Sequence, residues 1–138
     1  MGGATFNGYD MLGRVIELMA ASPVHRPWSV ADIERLIAPP LALNQYVITG
    51  SSRLTGWASY ALLSEEAEER FERRATLPQD WRSGTTVYLF DAIAPYGDAR
   101  RLISTLRAHL RETGHGGRHM HFVRAYQNKP WRVSRVKL

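Results

Sequence analysis

Apolar residues recur along the chain in blocks whose spacing switches between helical and strand periods. From residue 9 to residue 21 they follow a helical period, which predicts an amphipathic helix that ends at the proline-rich segment SPVHRPW (22–28). Ser29 and Asp32 form a capping pattern ahead of a second short helix, which two prolines at 39–40 are expected to end. The pattern therefore predicts two helices joined by a proline-rich corner.

The middle of the chain predicts strands on either side of an acidic helix. Segments 44–49 and 53–63 predict a hairpin with a turn over residues 50–52. The stretch SEEAEERFERR from Ser64 has glutamates in its first turn and arginines in its last, as is typical of a solvent-facing helix. Residues 86–94 are apolar on both faces and predict a central strand.

The last third of the chain continues the alternation of helix and strand. A helix is expected from an N-cap at Asp98 to about Glu112, followed by strands at roughly 119–126 and 131–136. The buried stripe of this helix is predicted to contain Ala99, Leu102, Ile103, Leu106 and Leu110. Because helices and strands alternate without an internal repeat or a linker, we expect a single α/β domain over residues 1–138.

Composition and charge limit the kinds of site, partner and cellular location that the chain can have. Cysteine is absent, which excludes disulfides, thiolate nucleophiles and thiolate metal sites. A surplus of 18 Lys and Arg over 13 Asp and Glu gives a net charge of +5, which suits an acidic partner. No apolar run has membrane-spanning length, and the N-terminal MGGATFNGYD lacks the features of a signal peptide. We therefore expect a cytoplasmic protein without stable membrane insertion.

One carboxylate interrupts the predicted central strand. Strict alternation places Asp91 on the same face as Val87, Leu89 and Ile93. A lone ionised carboxylate is costly to bury, so Asp91 needs a partner or a hydrogen-bond donor.

A single histidine lies between the two prolines of SPVHRPW. Prolines restrict their own backbone and that of the preceding residue, so His25 is expected on a stiff, non-helical segment. A histidine with a carboxylate partner is a minimal general-base pair. Two interpretations stay open at this point. Either His25 pairs with Asp91, or His25 caps a turn while Asp91 binds an arginine such as Arg26.

Two further features support weaker predictions. The residues PYGD (95–98) precede a helix, whose free backbone N–H groups suit a phosphate, a pantetheine amide or an oxyanion, although such a turn is usually an ordinary strand-to-helix connection. His119 and His121 share a strand face, but no third ligand of suitable spacing accompanies them. We therefore predict no metal site.

Four motifs, taken in order along the chain, resemble the RTX toxin-activating lysine-acyltransferases. They are SPVHRPW, ALNQY, DWRSG and FDAIAPYGD, and the resemblance runs from about Leu12 to Arg111. It implies a GNAT-like α/β fold with a mixed, mainly antiparallel central sheet flanked by helices. It also implies transfer of a fatty acyl chain from acyl carrier protein to internal lysines of an RTX protoxin. Members of this family usually continue with a longer C-terminal portion, and the resemblance does not include the segment GHGGRHMH.

The resemblance also implies roles for individual residues. His25 and Asp91 match the catalytic pair, in which His25 acts as the base and Asp91 orients or assists it. Ser22, Tyr96 and Gly97 are expected to support the pair or the acyl-donor groove. Since the chain has no cysteine, we expect direct attack by the lysine rather than an acyl-enzyme on His25 or Ser22. No bound cofactor is expected, because the phosphopantetheine thioester of acyl carrier protein is the acyl donor.

The expected partners follow from the same resemblance. Acyl carrier proteins are acidic, so Arg100, Arg107 and Arg111 are a candidate docking surface, although a solvent-facing helix explains them too. A homodimer stays open, and we expect no nucleic acid. Two rival functions are considered. An acyl-CoA-dependent N-acyltransferase of the same fold would need a Q/R-x-x-G-x-G/A loop that APYGDAR does not supply. A basic nucleic-acid-binding module is suggested only by Arg124, Tyr126, Trp131 and Arg132.

Overall fold

A five-stranded sheet organises the computed structural model, which describes residues 8–124 and 132–138. The helices are α1 (Gly8–Ala20), α2 (Val30–Leu36), α3 (Ala38–Ala42), α4 (Glu65–Glu72) and α5 (Ala99–Leu110). The strands are β1 (Tyr46–Gly50), β2 (Leu54–Leu63), β3 (Thr86–Ile93), β4 (His119–Arg124) and β5 (Arg132–Lys137). A short 3₁₀ helix, Pro78–Trp81, precedes β3.

The strands lie in the order β1-β2-β3-β4-β5. The pairs β1–β2, β2–β3 and β4–β5 are antiparallel, whereas β3 and β4 are parallel and are connected through α5. The sheet is therefore mixed and mainly antiparallel, with helices flanking it. This arrangement confirms the predicted fold class and is consistent with a GNAT-like fold.

Apolar side chains cover both faces of the sheet. Leu102 and Leu106 of α5 pack with Tyr60 of β2 on one face. Leu18 of α1 packs with Trp57 of β2 on the other. Helices α1, α3 and α4 all pack on this second face, and Trp28 of the proline-rich segment packs there too. Within the described residues, no helix is both long enough and apolar enough to cross a membrane.

The predicted helices are present, with two corrections. Pro39 and Pro40 do not end the second helix, because α2 already ends at Leu36 and the prolines lie in the first turn of α3. Proline is tolerated there because the first N–H groups of a helix have no partner within the helix. Asp98 occupies the N-cap position of α5, but its side chain accepts a hydrogen bond from the Thr55 hydroxyl at 2.7 Å instead of capping the helix.

The C-terminal elements also agree with the predicted segments where the structure describes them. In α5, Leu102, Leu106 and Leu110 are fully buried as predicted, whereas Ile103 is half-buried and Ala99 is exposed. Strands β4 and β5 match the two predicted strands. Of the residues that suggested nucleic-acid binding, Tyr126 and Trp131 lie outside the described residues, as do the side chains of Arg124 and Arg132.

A β-bulge at Phe90 changes the direction in which Asp91 points. Ser59 of β2 pairs with Asp91, but the next residue of β2 pairs with Leu89, so Phe90 is an extra residue in β3. Val87 and Leu89 pack on the α5 side of the sheet, whereas Asp91 faces the proline-rich segment. The prediction that Asp91 shares a face with Val87 and Leu89 was therefore wrong, because it assumed unbroken alternation.

Two of the four recognised motifs pack against each other beside β2. Gln45 of ALNQY is buried, and its amide donates to the carbonyl of Trp81 in DWRSG at 2.9 Å and accepts from Arg82 at 3.0 Å. Asp80 of the same motif accepts two hydrogen bonds from Arg70 of α4, at 2.6 and 2.9 Å. Helix α4 is therefore not only a solvent-facing helix, since one of its arginines holds a buried carboxylate.

Candidate active site

The proline-rich segment after α1 forms a tight turn around a buried histidine. The backbone N–H of His25 donates to the carbonyl of Ser22 at 3.0 Å, and that of Trp28 donates to the carbonyl of His25 at 3.1 Å. Pro23 and Pro27 are exposed on the outside of the turn. Since proline has a fixed φ and no N–H, it stiffens the turn without adding an unpaired donor. The His25 side chain, which is only 5% exposed, is held on non-helical backbone, as predicted.

His25 connects Ser22 to Asp91. Its Nε2 lies 2.9 Å from Oδ1 and 3.0 Å from Oδ2 of Asp91, and its Nδ1 lies 2.6 Å from the Ser22 hydroxyl. An ionised carboxylate can only accept, so the neutral imidazole carries its proton on Nε2, and Nδ1 accepts from Ser22. Arg26 donates to the carbonyl of Ala20 at 3.2 Å. Of the two interpretations left open by the sequence, the structure contains the pairing of His25 with Asp91.

A groove of about 520 Å³ opens next to this pair, between α2, the end of α4 and strands β3 and β4. Asp91 lines the groove, and its side chain is 13% exposed compared with 5% for His25. A substrate that enters the groove therefore meets the Asp91 carboxylate before the imidazole. The apolar part of the lining consists of Trp28, Leu36, Phe71, Tyr88, Phe90 and Val123.

Aromatic side chains form much of the groove wall. The Trp28 ring centroid lies 4.8 Å from that of His25. Phe90, the bulge residue, packs edge to face with Phe71 at 5.7 Å and with Trp81 at 5.0 Å. Edge-to-face aromatic packing adds to the stabilisation from burial and favours one arrangement of the rings. The same bulge that turns Asp91 toward His25 thus also builds the apolar wall beside it.

Charged residues of both signs surround the opening of the groove. Asp32, Arg35, Glu72 and Arg74 all contribute to its lining. Arg35 lies 3.8 Å from the Asp32 carboxylate and donates to the carbonyl of Arg74 at 3.4 Å. Burial raises the pKa of Tyr88 in the groove wall, and the nearby charges of Glu72 and Glu68 raise it further, so its phenol stays protonated. The groove therefore combines an apolar wall with a charged opening.

Tyr96 and Gly97 lie in the turn after β3, away from the groove. Tyr96 is 49% exposed, and its hydroxyl accepts a hydrogen bond from Arg53 at 2.9 Å. Gly97 has a φ of +90°, in the left-handed region that favours glycine. Neither residue lines the groove that contains Asp91, so the structure does not bring them to the pair. Their contact with an acyl donor stays a prediction.

The arginines predicted to dock a partner are on the other face of the sheet. Arg100, Arg107 and Arg111 line a second depression of about 490 Å³ along α5. Arg107 is partly buried, and it donates to the carbonyl of Lys137 at 2.9 Å, so it also stabilises the end of β5. Arg100 and Arg111 are exposed and are the accessible cations of this surface.

The two C-terminal histidines have different surroundings. His121 Nδ1 lies 2.5 Å from the Glu68 carboxylate, and His119 is exposed. Among the described residues, no group of three histidine or carboxylate side chains could hold a metal ion. The pairing of His121 with Glu68 was not predicted, because the two residues are far apart in the chain and no motif connects them.

Comparison with known proteins agrees with the motifs. A model of the RTX toxin acyltransferase family matches residues 4–136, beyond both ends of the motif resemblance. The chain is 35% identical over 102 residues to the lysine-acyltransferase RtxC of Vibrio cholerae serotype O1, covering 71% of this chain and 67% of that protein. It is 36% identical over 101 residues to the protein-lysine myristoyltransferase HlyC of Escherichia coli, with 71% and 58% covered.

A third relative shows a similar degree of identity. The RTX-II toxin-activating lysine-acyltransferase ApxIIC of Actinobacillus pleuropneumoniae is 31% identical over 104 residues, which cover 73% of this chain and 65% of that protein. The matched part of the chain thus spans between 58% and 67% of the length of these three curated relatives.

Proposed function

Because the chain belongs to the RTX toxin acyltransferase family, we propose that it transfers a fatty acyl group from acyl carrier protein to internal lysines of an RTX protoxin. The reaction class is supported by the names of its relatives, which are lysine-acyltransferases and a protein-lysine myristoyltransferase. The observation that carries the proposal is the buried His25, held between Ser22 and Asp91 beside a groove with an apolar wall. We place the reaction in the cytoplasm.

The proposed chemistry begins with the loss of a proton from the target lysine. A lysine ammonium has a pKa of about 10.4, so it needs a base before it can attack a thioester near neutral pH. The ammonium binds to the Asp91 carboxylate, which takes its proton directly, because both ring nitrogens of His25 are already engaged, Nε2 with Asp91 and Nδ1 with Ser22. His25 contributes to the base through Asp91, since its Nε2–H holds the carboxylate in place before and after the proton is transferred. The lysine nitrogen then attacks the thioester carbonyl carbon. The carbon–sulfur bond breaks, an amide forms, and the thiol of the donor leaves with the second proton of the amine.

Ser22 is proposed to orient the base and not to carry the acyl group. Its hydroxyl donates to Nδ1, which keeps the imidazole proton on Nε2, where it is directed at Asp91. Since Nε2 stays directed at Asp91 throughout, the imidazole does not need to turn during proton transfer. In this proposal the lysine attacks the thioester directly.

The acyl donor is proposed to dock on the α5 side of the sheet. Arg100 and Arg111 present exposed positive charge to an acidic carrier protein. Strands β3 and β4 pair only from Val87 to Leu89, and Asp91 lies beyond the last pair. We propose that a pantetheine arm passes this end of the pairing to reach Asp91 from the α5 face. Tyr96 and Gly97 lie in the turn at this end of β3.

Mass spectrometry of a protoxin tests the proposed function. A candidate RTX protoxin is incubated with this protein and acyl-loaded acyl carrier protein, and in parallel with acyl-CoA as the donor. We expect a fatty-acyl mass on internal lysines only with the carrier-protein donor. Acylation with acyl-CoA alone would replace the donor assignment, and no acylation of a competent protoxin with either donor would contradict the function.

A further inference from the structure

Thr76 places a buried hydroxyl without a protein partner in the wall of the groove. The residue is 6% exposed and lines the same groove as Asp91. Within residues 8–124 and 132–138, its Oγ1 has no hydrogen-bond partner. Buried hydroxyls almost always have a partner, because an unsatisfied one loses its bonds to water without compensation. The unpaired hydroxyl therefore indicates a position where a ligand in the groove could form a hydrogen bond.

The backbone next to Thr76 is fixed by the contacts of its neighbours. The N–H of Leu77 donates to the Asp80 carboxylate at 2.9 Å, and Asp80 is in turn held by Arg70. The Thr76 side chain is β-branched, so it has few available rotamers. The backbone that carries the hydroxyl is thus held in place before any substrate arrives, as is needed for a group that positions a ligand.

The surroundings of the hydroxyl indicate the chemistry of its ligand. Phe71, Tyr88 and Phe90 line the same groove, and such an apolar setting favours a neutral hydrogen-bonding group over a charged one. We propose that the Thr76 hydroxyl hydrogen-bonds to a secondary amide of a substrate bound in this groove. The inference rests on the proposed function, whose two substrates both carry such amides. One source is the pantetheine arm of the donor, and the other is the peptide backbone around the target lysine.

In this proposal Thr76 is a positioning residue. Its hydrogen bond holds the amide, and thereby fixes where the thioester or the lysine lies relative to Asp91. It takes no part in proton transfer or in bond making.

Binding measurements with two probes test the proposal and identify the source of the amide. The probes are a non-reactive thioether analogue of myristoyl-pantetheine and a short lysine-containing peptide, each titrated by calorimetry into the full chain. Thr76→Val removes the hydroxyl and keeps the shape of the side chain. It is therefore expected to weaken the binding of one probe by about threefold to tenfold, as for the loss of one neutral hydrogen bond. Thr76→Ser keeps the hydroxyl and is expected to bind that probe within about twofold of the wild type.

Control measurements separate positioning from folding. Thr105→Val changes a hydroxyl on α5 that donates to the carbonyl of Arg101, and it should leave the affinity for both probes unchanged. Thermal unfolding of Thr76→Val should occur at the wild-type temperature or above it, because the variant loses an unsatisfied buried group.

Three outcomes would overturn the inference: unchanged affinity for both probes in Thr76→Val, an equal loss in Thr76→Ser, or a wild-type protein that binds neither probe. The first outcome would mean that only an ordered water meets the hydroxyl. Because binding is measured without transfer, a protein that binds a probe through Thr76 but never acylates a protoxin would contradict the proposed function and leave this inference intact.

Discussion

Asp91 Oδ1 lies 2.9 Å from His25 Nε2, although the two residues are 66 positions apart in the chain. Two local features produce this contact. A turn between two prolines holds His25 on the face of the sheet that carries α1, and the bulge at Phe90 turns Asp91 toward the same face. With regular alternation through Phe90, Asp91 would point toward α5 instead. The pair therefore depends on one extra residue in β3.

The His25–Asp91 pair is expected to be essential for acyl transfer. His25→Ala should slow lysine acylation by at least about 100-fold, the lower end for loss of a general base. Asp91→Asn should reduce the rate strongly as well, because the amide can still bind the imidazole but cannot take the proton of the lysine. Rates are measured by mass spectrometry of the protoxin, and circular dichroism confirms folding.

His119→Ala is the matched control for this prediction, since it removes an exposed histidine outside the groove lining. Its rate should equal that of the wild type. Wild-type rates in a folded His25→Ala variant would show that the pair is structural and that the base lies elsewhere.

Two measurements that concern Ser22 distinguish direct attack by the lysine from a mechanism with an acyl-enzyme. Ser22→Ala is expected to lower the rate by about tenfold, the effect of one neutral hydrogen bond to the imidazole, and not to abolish it. Intact mass spectrometry of the wild type with the acyl donor and no acceptor should show no added acyl mass. An acyl adduct on Ser22 that disappears when the protoxin is added would contradict direct attack.

Periodicity was sufficient to predict most of the fold but not the direction of Asp91. The helical spacing in α1 and the capping residues Ser29 and Asp32 act locally, so their elements were found close to the observed bounds. The bulge at Phe90 depends on how β3 pairs with β2, and nothing in the local pattern of β3 indicates it. The motif resemblance identified Asp91 correctly as the partner of His25 while the alternation argument gave its face wrongly.

The groove beyond Asp91 could not be predicted for a related reason. Phe71 and Thr76 reach it from the end of α4, whose position depends on the hydrogen bonds between Arg70 and Asp80. In the sequence, Arg70 has a glutamate partner at Glu66 with helical spacing, which favours a solvent-facing arginine. A long-range contact with a buried carboxylate has no local signature.

The Arg70–Asp80 pair is expected to stabilise the fold and to set part of its acid sensitivity. Arg70→Met leaves a carboxylate that is 1% exposed without its main partner, so the free energy of unfolding should fall. The loss should be smaller than for a fully buried pair, because the Arg70 side chain is 30% exposed. Urea denaturation at neutral pH measures the change, with Arg73→Met on the exposed end of α4 as the control.

The pH dependence follows from the direction of the Asp80 pKa. Hydrogen bonds from Arg70, and then from the Leu77 backbone, hold the pKa of Asp80 below its usual value of about 3.9. The stabilisation is therefore fully present above about pH 4 and is lost as the pH falls through the lower, folded-state pKa. In Arg70→Met the acid-induced loss contributed by Asp80 should shrink. An acid unfolding profile of Arg70→Met that equals that of the wild type would contradict this account of the pair.

The arginines of α5 provide the last test, because their charge should matter for the carrier protein and not for the thioester itself. The double variant Arg100→Glu with Arg111→Glu is expected to raise KM for acyl carrier protein on the order of tenfold, since each exposed ion pair contributes up to about 1 kcal/mol. The affinity for the non-reactive thioether analogue of myristoyl-pantetheine should stay unchanged. Added salt should raise the KM for acyl carrier protein more in the wild type than in the double variant.

Arg101→Glu is the matched control for charge, since it reverses an exposed arginine of the same helix outside the depression. An equal effect of Arg101→Glu would indicate general attraction by net charge and not a defined docking surface. No effect of the double variant would place donor docking elsewhere. The α5 arginines would then be a solvent-facing stripe. The proposed path of the pantetheine arm from the α5 face, past the end of the β3–β4 pairing, would no longer be supported.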